Sequence, residues 1–524
     1  MSDDRENYNQ ALRFQKEGKY KEALAAAYRI SDPVFRASIL IDSGTDARKP
    51  SIIREGVRLF EDALKAGHSQ VSRSSLLYNI GNGYSAIFQI RLMNGAKLIA
   101  PNDDDLRQAK RAYRSALAET KGNTPSLRSQ TLVNYGNCLS SLGRCFEAVE
   151  AYSLALELEP RNGMAAGNLG IELDRAAQIT DRYIHHYLLA AHDVLSKACS
   201  PEMDLSYGGP SAARRFRAKL GDLQAIIDAH KGKLAPLMKI SFAKTKTAKD
   251  RYILFCLKNK LFLNAWVGDQ DVAPAISDEI AFGGIAVRQS NSQTVPELLR
   301  ILNEIKEAFS TARYLLYLSQ STSKTLDDIS LLTSYFAAHT KDLNGLPTGL
   351  CKSAYSRAFD VLDKVARIVN VYFGIGKRRD YFWDVLAEKQ SRGQAHEIRF
   401  VARPSVVSSY NYSLYALSDL CIDYFESEHV DFKTIDTRRN RITHDYLAVL
   451  RGIDAVAADS EITASELYRQ TLAVLRLAKY ATLYAVSALH IAERKKGSPK
   501  NAQKVTYWKS AGLTSKMFRK SVRA

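Results

Sequence analysis

Between Thr437 and Leu450 the chain reads TRRNRITHDYLAVL, with Arg438, Arg439, Asn440, Arg441 and His444 crowded together before an apolar run. An imidazole titrates near neutrality, so it can take the proton of a ribose 2′-hydroxyl or return one to a leaving oxygen. A guanidinium offers fixed charge and paired hydrogen bonds to a phosphate as negative charge builds on it. Together these groups suit cleavage of an RNA phosphodiester, a chemistry that needs no metal, and the sequence suggests neither a metal site nor a cofactor. On a helix, Asn440 and His444 share one face, and Ile435, Ile442, Tyr446 and Val449 share a nearly opposite one, which is expected to point into a core. Arg439 and His444 are five residues apart and diverge by about 140° on a straight helix. Two copies of the helix facing each other across a two-fold axis would bring an arginine and a histidine into one cleft, and a flexible arginine curling round its helix would do the same. The bare spacing R-x-x-x-x-H is weak, since about one chance match is expected in a chain this long. A plain alternative is a solvated face, with Arg441 and Asp445 forming an ordinary i,i+4 pair of little worth.

The surrounding pattern gives the motif a scaffold. Tyr355, Phe359, Leu362, Ala366, Val369 and Phe373 recur at helical spacing, so one face of a long helix between Lys352 and Phe373 is expected to be buried. A second helix is expected from Asn411 to Phe425, with Leu414, Leu417, Cys421 and Tyr424 inward, and the motif lies on a third. A fourth runs from Ser465 to Lys496. Thr463 and Glu466 have the spacing of a capping box at its start, and Arg494, Lys495 and Lys496 close it before Gly497 and Pro499. Residues 301–496 therefore read as a helical bundle.

The first 200 residues repeat. In TLVNYGNCLSSLGRCFEAVEAYSLALELEP, Thr131 to Pro160, Gly136 and Gly143 are the small positions, Ala148 and Ala155 allow close helix approach, Tyr152 fills the gap, and Pro160 ends the second helix. Leu77, Gly81 and Tyr84, then Ala109, Tyr113 and Ala116, echo this unit, as do Leu169 and Gly170. GKYKEALAAAY, from Gly18, matches its turn. Tandem units of this kind resemble tetratricopeptide (TPR) repeats, which stack into a solenoid with a concave surface for a protein or peptide. Residues 201–300 read as a connecting region: PEMDLSYGGP is rich in turn formers, and the apolar run from Asp250 to Trp266 fits helix or strand.

Composition narrows the class. The chain has 524 residues, enough for about two to four domains, with 46% hydrophobic and 25% charged residues. No uncharged apolar run approaches the roughly 20 residues of a membrane span, so no membrane partner is expected. An acidic, polar N-terminus is unlike a secretory signal, and six scattered cysteines form no C-x-x-C pair; the expected setting is the cytoplasm. The formal net charge is +18, and ten Lys or Arg with no Asp or Glu fall between Arg494 and Ala524. Residues 497–524 read as a basic tail in which Trp508 interleaves with charge. Arg438, Arg441, Lys495, Lys496, Lys500 and Trp508 are candidate RNA contacts, with a merely solvated terminus as the plainer reading.

RNRITH resembles the R-(N/D/H)-x-x-x-H motif of HEPN (higher eukaryotes and prokaryotes nucleotide-binding) domains, all-helical bundles that often act as metal-independent ribonucleases. With RYILFCLKNKLFLNAW and RNRITHDYL, the chain is similar to bacterial proteins that join N-terminal TPR repeats to a C-terminal HEPN domain. The resemblance covers about two-thirds of the chain and leaves the basic tail without a counterpart. It implies an all-α fold, Arg439 and His444 as catalytic residues supported by Asn440, and a homodimer with the cleft on its two-fold axis. It also implies RNA cleavage in phage defence, toxin-like or stress roles, regulated through the repeats. A non-catalytic adaptor that dimerises and recruits a protein or nucleotide is the alternative.

Overall fold

The computed structural model describes residues 2–67, 71–95, 100–119, 124–230, 247–268, 272–282, 286–287, 294–321, 324–336, 341–376, 381–392, 397–426, 432–452, 460–496 and 503–504. Among them the fold is all-α, with three two-stranded ladders. The N-terminal helices are α1 (Ser2–Lys16), α2 (Tyr20–Ala27), α3 (Pro33–Asp46), α4 (Pro50–Ala66), α5 (Arg73–Met93) and α6 (Asp104–Ala118). They continue with α7 (Pro125–Ser141), α8 (Cys145–Leu158), α9 (Gly163–Ile179), α10 (Ile184–Ala198) and α11 (Gly209–Ala229). Local chemistry sets their starts. Asp32 and Thr124 cap α3 and α7 through their side chains, each followed by a proline at the first helical position, and Asn162 caps α9.

These helices pack as the antiparallel pairs of a TPR-like solenoid, α3 on α4, α5 on α6, α7 on α8 and α9 on α10. The glycines permit the close approach. A Cβ on Gly81 would lie 2.6 Å from the Tyr113 ring, and one on Gly136 would lie 2.6 Å from the Tyr152 ring. Both rings are buried. Gly136→Val is therefore expected to cost about 1–3 kcal/mol through overpacking, seen as a lower denaturation midpoint. The turn-rich stretch after Ser200 leads into α11, whose Phe216 ring lies over Gly167, so helix stacking continues through residue 229.

The apolar run from Asp250 divides. Its first half is α12 (Ala248–Lys258), and Leu261, Phe262, Leu263, Trp266 and Val267 follow as non-helical buried chain. Arg313 anchors this segment through bonds to Asp278, the Leu261 carbonyl and the Tyr252 hydroxyl.

The C-terminal half contains α13 (Thr294–Ser319), α14 (Lys324–Ser330), α15 (Leu346–Phe373) and α16 (Phe382–Leu386). After these come α17 (Pro404–Ser408), α18 (Tyr412–Glu426), α19 (Phe432–His444) and α20 (Ala464–Lys496). Of the strands, β1 (Ala286–Val287) pairs with β6 (Gln503–Lys504), and β2 (Ala387–Arg392) with β3 (Glu397–Ala402); β4 (Ala448–Leu450) runs parallel to β5 (Glu461–Thr463). Helices α13, α15 and α18 surround α20. By length and composition α20 could cross a membrane, yet 83% of its apolar window is buried inside the protein, which makes it the central core helix. The expected stripe on α15 is buried from Tyr355 to Val369, and Thr463 Oγ1 accepts the Glu466 N–H at the start of α20.

The motif helix is shorter than its apolar spacing predicts. It ends at His444, and Tyr446 is 65% exposed instead of facing the core. Residues 448–450 are drawn into a ladder with β5 on one side, and on the other Leu343 N–H donates to Val449 O at 2.7 Å. Extended flanks on both sides satisfy main-chain groups that a continuing helix would have directed into itself. Leu447 and Val449 are buried.

Candidate functional site

Helix α19 packs against α15 and α18. Lys352 of α15 donates through Nζ to the Leu447 carbonyl at 2.6 Å, tying down the turn that follows His444. Asn440 and His444 are both exposed, and Ile442 packs against the core, so the expected two faces of the helix are present at these positions. His444 is the last residue of α19.

Arg439 faces away from His444, towards α15. Its Nη2 donates to Asp363 Oδ2 at 3.2 Å and lies 3.6 Å from Asp360 Oδ1, and its guanidinium sits 5.3 Å from the centre of the Phe359 ring. Burial holds the Asp363 carboxyl above its usual range, and the Arg439 guanidinium beside it offsets this only in part. Among the described residues only Nη2 of the Arg439 guanidinium makes a hydrogen bond. Arg439 thus lies against α15 while His444 is exposed, as the divergence expected from helical spacing requires.

Other candidates scatter. Arg438 is half-buried with its Nε unpartnered among the described residues, and Arg441 Nη1 lies 3.9 Å from Asp445 Oδ2. Lys495 Nζ donates to the Ser409 and Tyr410 carbonyls, and Lys496 Nζ to the Tyr372 hydroxyl and Glu493. Arg438 lies close enough to Glu466, at the start of α20, to influence its charge. Glu466 to Lys495 spans 29 residues of helix, about 44 Å, so both lysines lie far from the motif. Lys500 and Trp508 lie outside the described residues. Among the described residues no group of three or more His, Cys, Asp or Glu is placed to hold a metal ion.

Sequence reasoning missed Asp360 and Asp363, because nothing along the chain marks two carboxylates as partners of an arginine 76 residues after the second of them. It also missed a signal that was legible. An asparagine follows the packing glycine in two successive units, as Gly81-Asn82 and Gly136-Asn137.

The bundle, its exposed Asn440 and His444 and the inward Arg439 all fall within one matched region. Residues 289–492 match the LA2681-like HEPN family model. The match covers less than half of the chain, and it gives the C-terminal bundle its description as a HEPN-like domain behind a TPR-like solenoid. No curated protein shows a significant match. Among solved structures, the TPR2AB domain of yeast Sti1 in complex with pHSP90 is 13% identical, over 43% of this chain and 99% of that chain, with a TM-score of 0.18.

The solenoid and the HEPN-like domain share one continuous core, running from Leu132 to Leu489. A buried charge cluster lies where they meet. Lys110 Nζ on α6 bonds Asp419 on α18 at 2.6 Å and Asp423 at 2.9 Å, and Arg144, just before α8, reaches the same two carboxylates at 2.9 and 2.6 Å. Arg114 adds a third cation to Asp423, and Arg144 also pairs with Glu147. Gly143 touches the Tyr412 carbonyl at φ +81°, a conformation and a closeness that a side chain would disrupt.

Proposed function

We propose that the protein is a cytoplasmic RNA-cleaving effector, with the HEPN-like domain as a metal-independent endoribonuclease and the solenoid as its regulator. The observation that carries this reading is the motif helix itself, which presents His444 and Asn440 to solvent while α15 holds Arg439 in a fixed orientation. HEPN domains are commonly ribonucleases, and the family match spans this helix.

In the proposed reaction the ribose 2′-oxygen attacks phosphorus and the bond to the 5′-oxygen breaks. His444 takes the 2′-hydroxyl proton or supplies one to the leaving oxygen, giving a 2′,3′-cyclic phosphate and a 5′-hydroxyl. Arg439 places its guanidinium against the negative charge building on the phosphate, and Asn440 supports the pair. Since Arg439 and His444 diverge within one chain, the complete cleft is formed by two copies, each lending one of the two groups. Arg438 and Arg441 lie on the same helix and would hold the RNA backbone. A role in phage defence, as a toxin or in stress response fits such an effector.

Asp360 and Asp363 act through Arg439. Replacing both by asparagine is expected to lower cleavage about 10- to 100-fold by loosening the guanidinium, with little change in RNA affinity. The measurement is single-turnover cleavage alongside RNA binding. One observation favours a second reading, a non-catalytic adaptor: Arg439 already has two carboxylate partners, as a purely structural arginine would. Incubating the purified protein with total RNA in excess EDTA, with fragment ends mapped, separates the two. Cyclic-phosphate ends support the nuclease, and intact RNA under every activating condition supports the adaptor.

A further inference from the structure

The end of α20 farthest from the motif carries a patch that the proposed reaction does not use. Arg494 and Lys495 are exposed there, and among the described residues neither pairs with a carboxylate. Arg494 Nη1 donates to the Gln178 carbonyl of α9 at 2.7 Å, which brings the solenoid into the same patch. Arg175 of α9 is 40% exposed beside its buried partner Glu172, and Lys496 is balanced by Glu493. Cations at a helix C-terminus need no ligand to explain them, because the helix dipole favours them.

The aromatic groups beside them have no such explanation. Tyr410 is 77% exposed and Tyr412 63% exposed. Tyr410 has φ +48°, in the left-handed region that residues with side chains rarely enter. That strained backbone is pinned on both sides. Lys495 Nζ donates to the Tyr410 carbonyl at 2.8 Å and to the Ser409 carbonyl at 3.2 Å. The next residue, Asn411, is buried; it accepts the Ser413 and Leu414 N–H groups and donates to the Ala488 carbonyl at 2.8 Å. Strain held in place this firmly is characteristic of functional positions. The Tyr412 ring meets Tyr415 edge-on, with centroids 5.9 Å apart, and its phenol lies close enough to Arg175 to bear on its charge.

Rings presented to solvent among cations suit a single-stranded nucleic acid, whose bases stack on aromatic faces while its phosphates take the positive charges. Arg494, Lys495 and Lys496 also head the run of ten Lys or Arg, without Asp or Glu, that ends a chain of net charge +18, so this end attracts polyanions. We propose that the patch is a second RNA contact, which holds a single strand by stacking bases on Tyr410 and Tyr412 and by pairing phosphates with Arg175, Arg494 and Lys495. The inference rests on RNA being the ligand of this protein and is independent of cleavage. With some 29 residues of α20, about 44 Å, between the patch and the start of the helix, a long strand reaches both patch and motif and a short one reaches only one.

The test uses the full chain and a labelled single strand of about twelve nucleotides carrying 2′-O-methyl groups, whose blocked 2′-oxygens cannot attack phosphorus. Tyr410→Ala/Tyr412→Ala is expected to bind at least about tenfold more weakly, and Tyr410→Phe/Tyr412→Phe within about twofold of wild type, because the ring face remains. Arg494→Gln/Lys495→Gln is expected to lower the slope of log affinity against log salt by about one to two. All these side chains are exposed, and unchanged melting checks that each variant folds. With 5-bromouridine in the strand, ultraviolet cross-links mapped by mass spectrometry are expected on Tyr410 or Tyr412. Cross-links only elsewhere, no binding by wild type, or a duplex bound as tightly as the strand overturns the proposal. Equal affinity for the alanine variant also overturns it and leaves the two rings to a protein contact. Since the strand cannot be cut, a chain without nuclease activity can still pass, and an active nuclease can still fail.

Discussion

His444→Ala lowers RNA cleavage by about 10²–10⁴-fold, the loss expected when a positioned general acid or base is removed. Stability stays within about 0.5 kcal/mol of wild type, because His444 is exposed at the end of α19. This separation of activity from folding is what an outward catalytic group requires. The check is cleavage of total RNA in excess EDTA with the ends mapped, together with thermal melts of both proteins. Full cleavage by the variant removes His444 from the mechanism. Mixing the Arg439→Ala and His444→Ala chains tests the shared cleft. If each site takes its arginine from one copy and its histidine from the other, a mixed dimer contains one intact site and regains activity. If both groups come from one chain, no mixture recovers.

Asp423→Ala destabilises the protein by about 3–5 kcal/mol, the cost of leaving buried charges without their partner. Lys110 and Arg144 are buried beside it and each bonds Asp423, so removing the carboxylate leaves these two cations and Arg114 with only Asp419 and Glu147 to balance them away from water. Burial opposes ionisation of Asp423, and Arg114, Lys110 and Arg144 outweigh it, holding the carboxyl well below the ordinary range. The sign follows from that depression. The stabilisation is complete above the ordinary carboxylate pKa near 4 and is lost as pH falls from there towards the folded value. Urea denaturation at neutral and acidic pH measures both effects. An unchanged midpoint for the variant would mean that the solenoid and the HEPN-like domain hold together without the cluster. Replacing the whole cluster by apolar residues of similar volume is a different experiment with a smaller expected cost, because no charge is then left unpaired.

Much of this architecture is legible along the chain wherever the cause is local. Gly136 and Tyr152, Gly81 and Tyr113, the α15 stripe and the Thr463 cap are short-range relations, set by helical periodicity and side-chain volume. The exposed Asn440 and His444 follow from the same periodicity. The spacing failed at Tyr446, and Val449 is buried from a strand instead of a helix, because the chain left the helix to join β5 and the segment around Leu343. The apolar run from Asp250 to Trp266 stayed ambiguous because a buried helix and a buried extended segment use the same residue types.

The sequence by itself determined the repeats, the bundle helices and the motif with its outward histidine, since each depends on neighbours within a few turns. Only the tertiary structure decided that Arg439 is held by Asp360 and Asp363, and that Lys110 and Arg144 meet Asp419 and Asp423 across some 300 residues. It also decided that Lys495 and Lys496 stand at the far end of α20 from the motif. Those relations depend on which helix faces come into contact, and charge pairs across such contacts have no periodicity for a sequence to reveal.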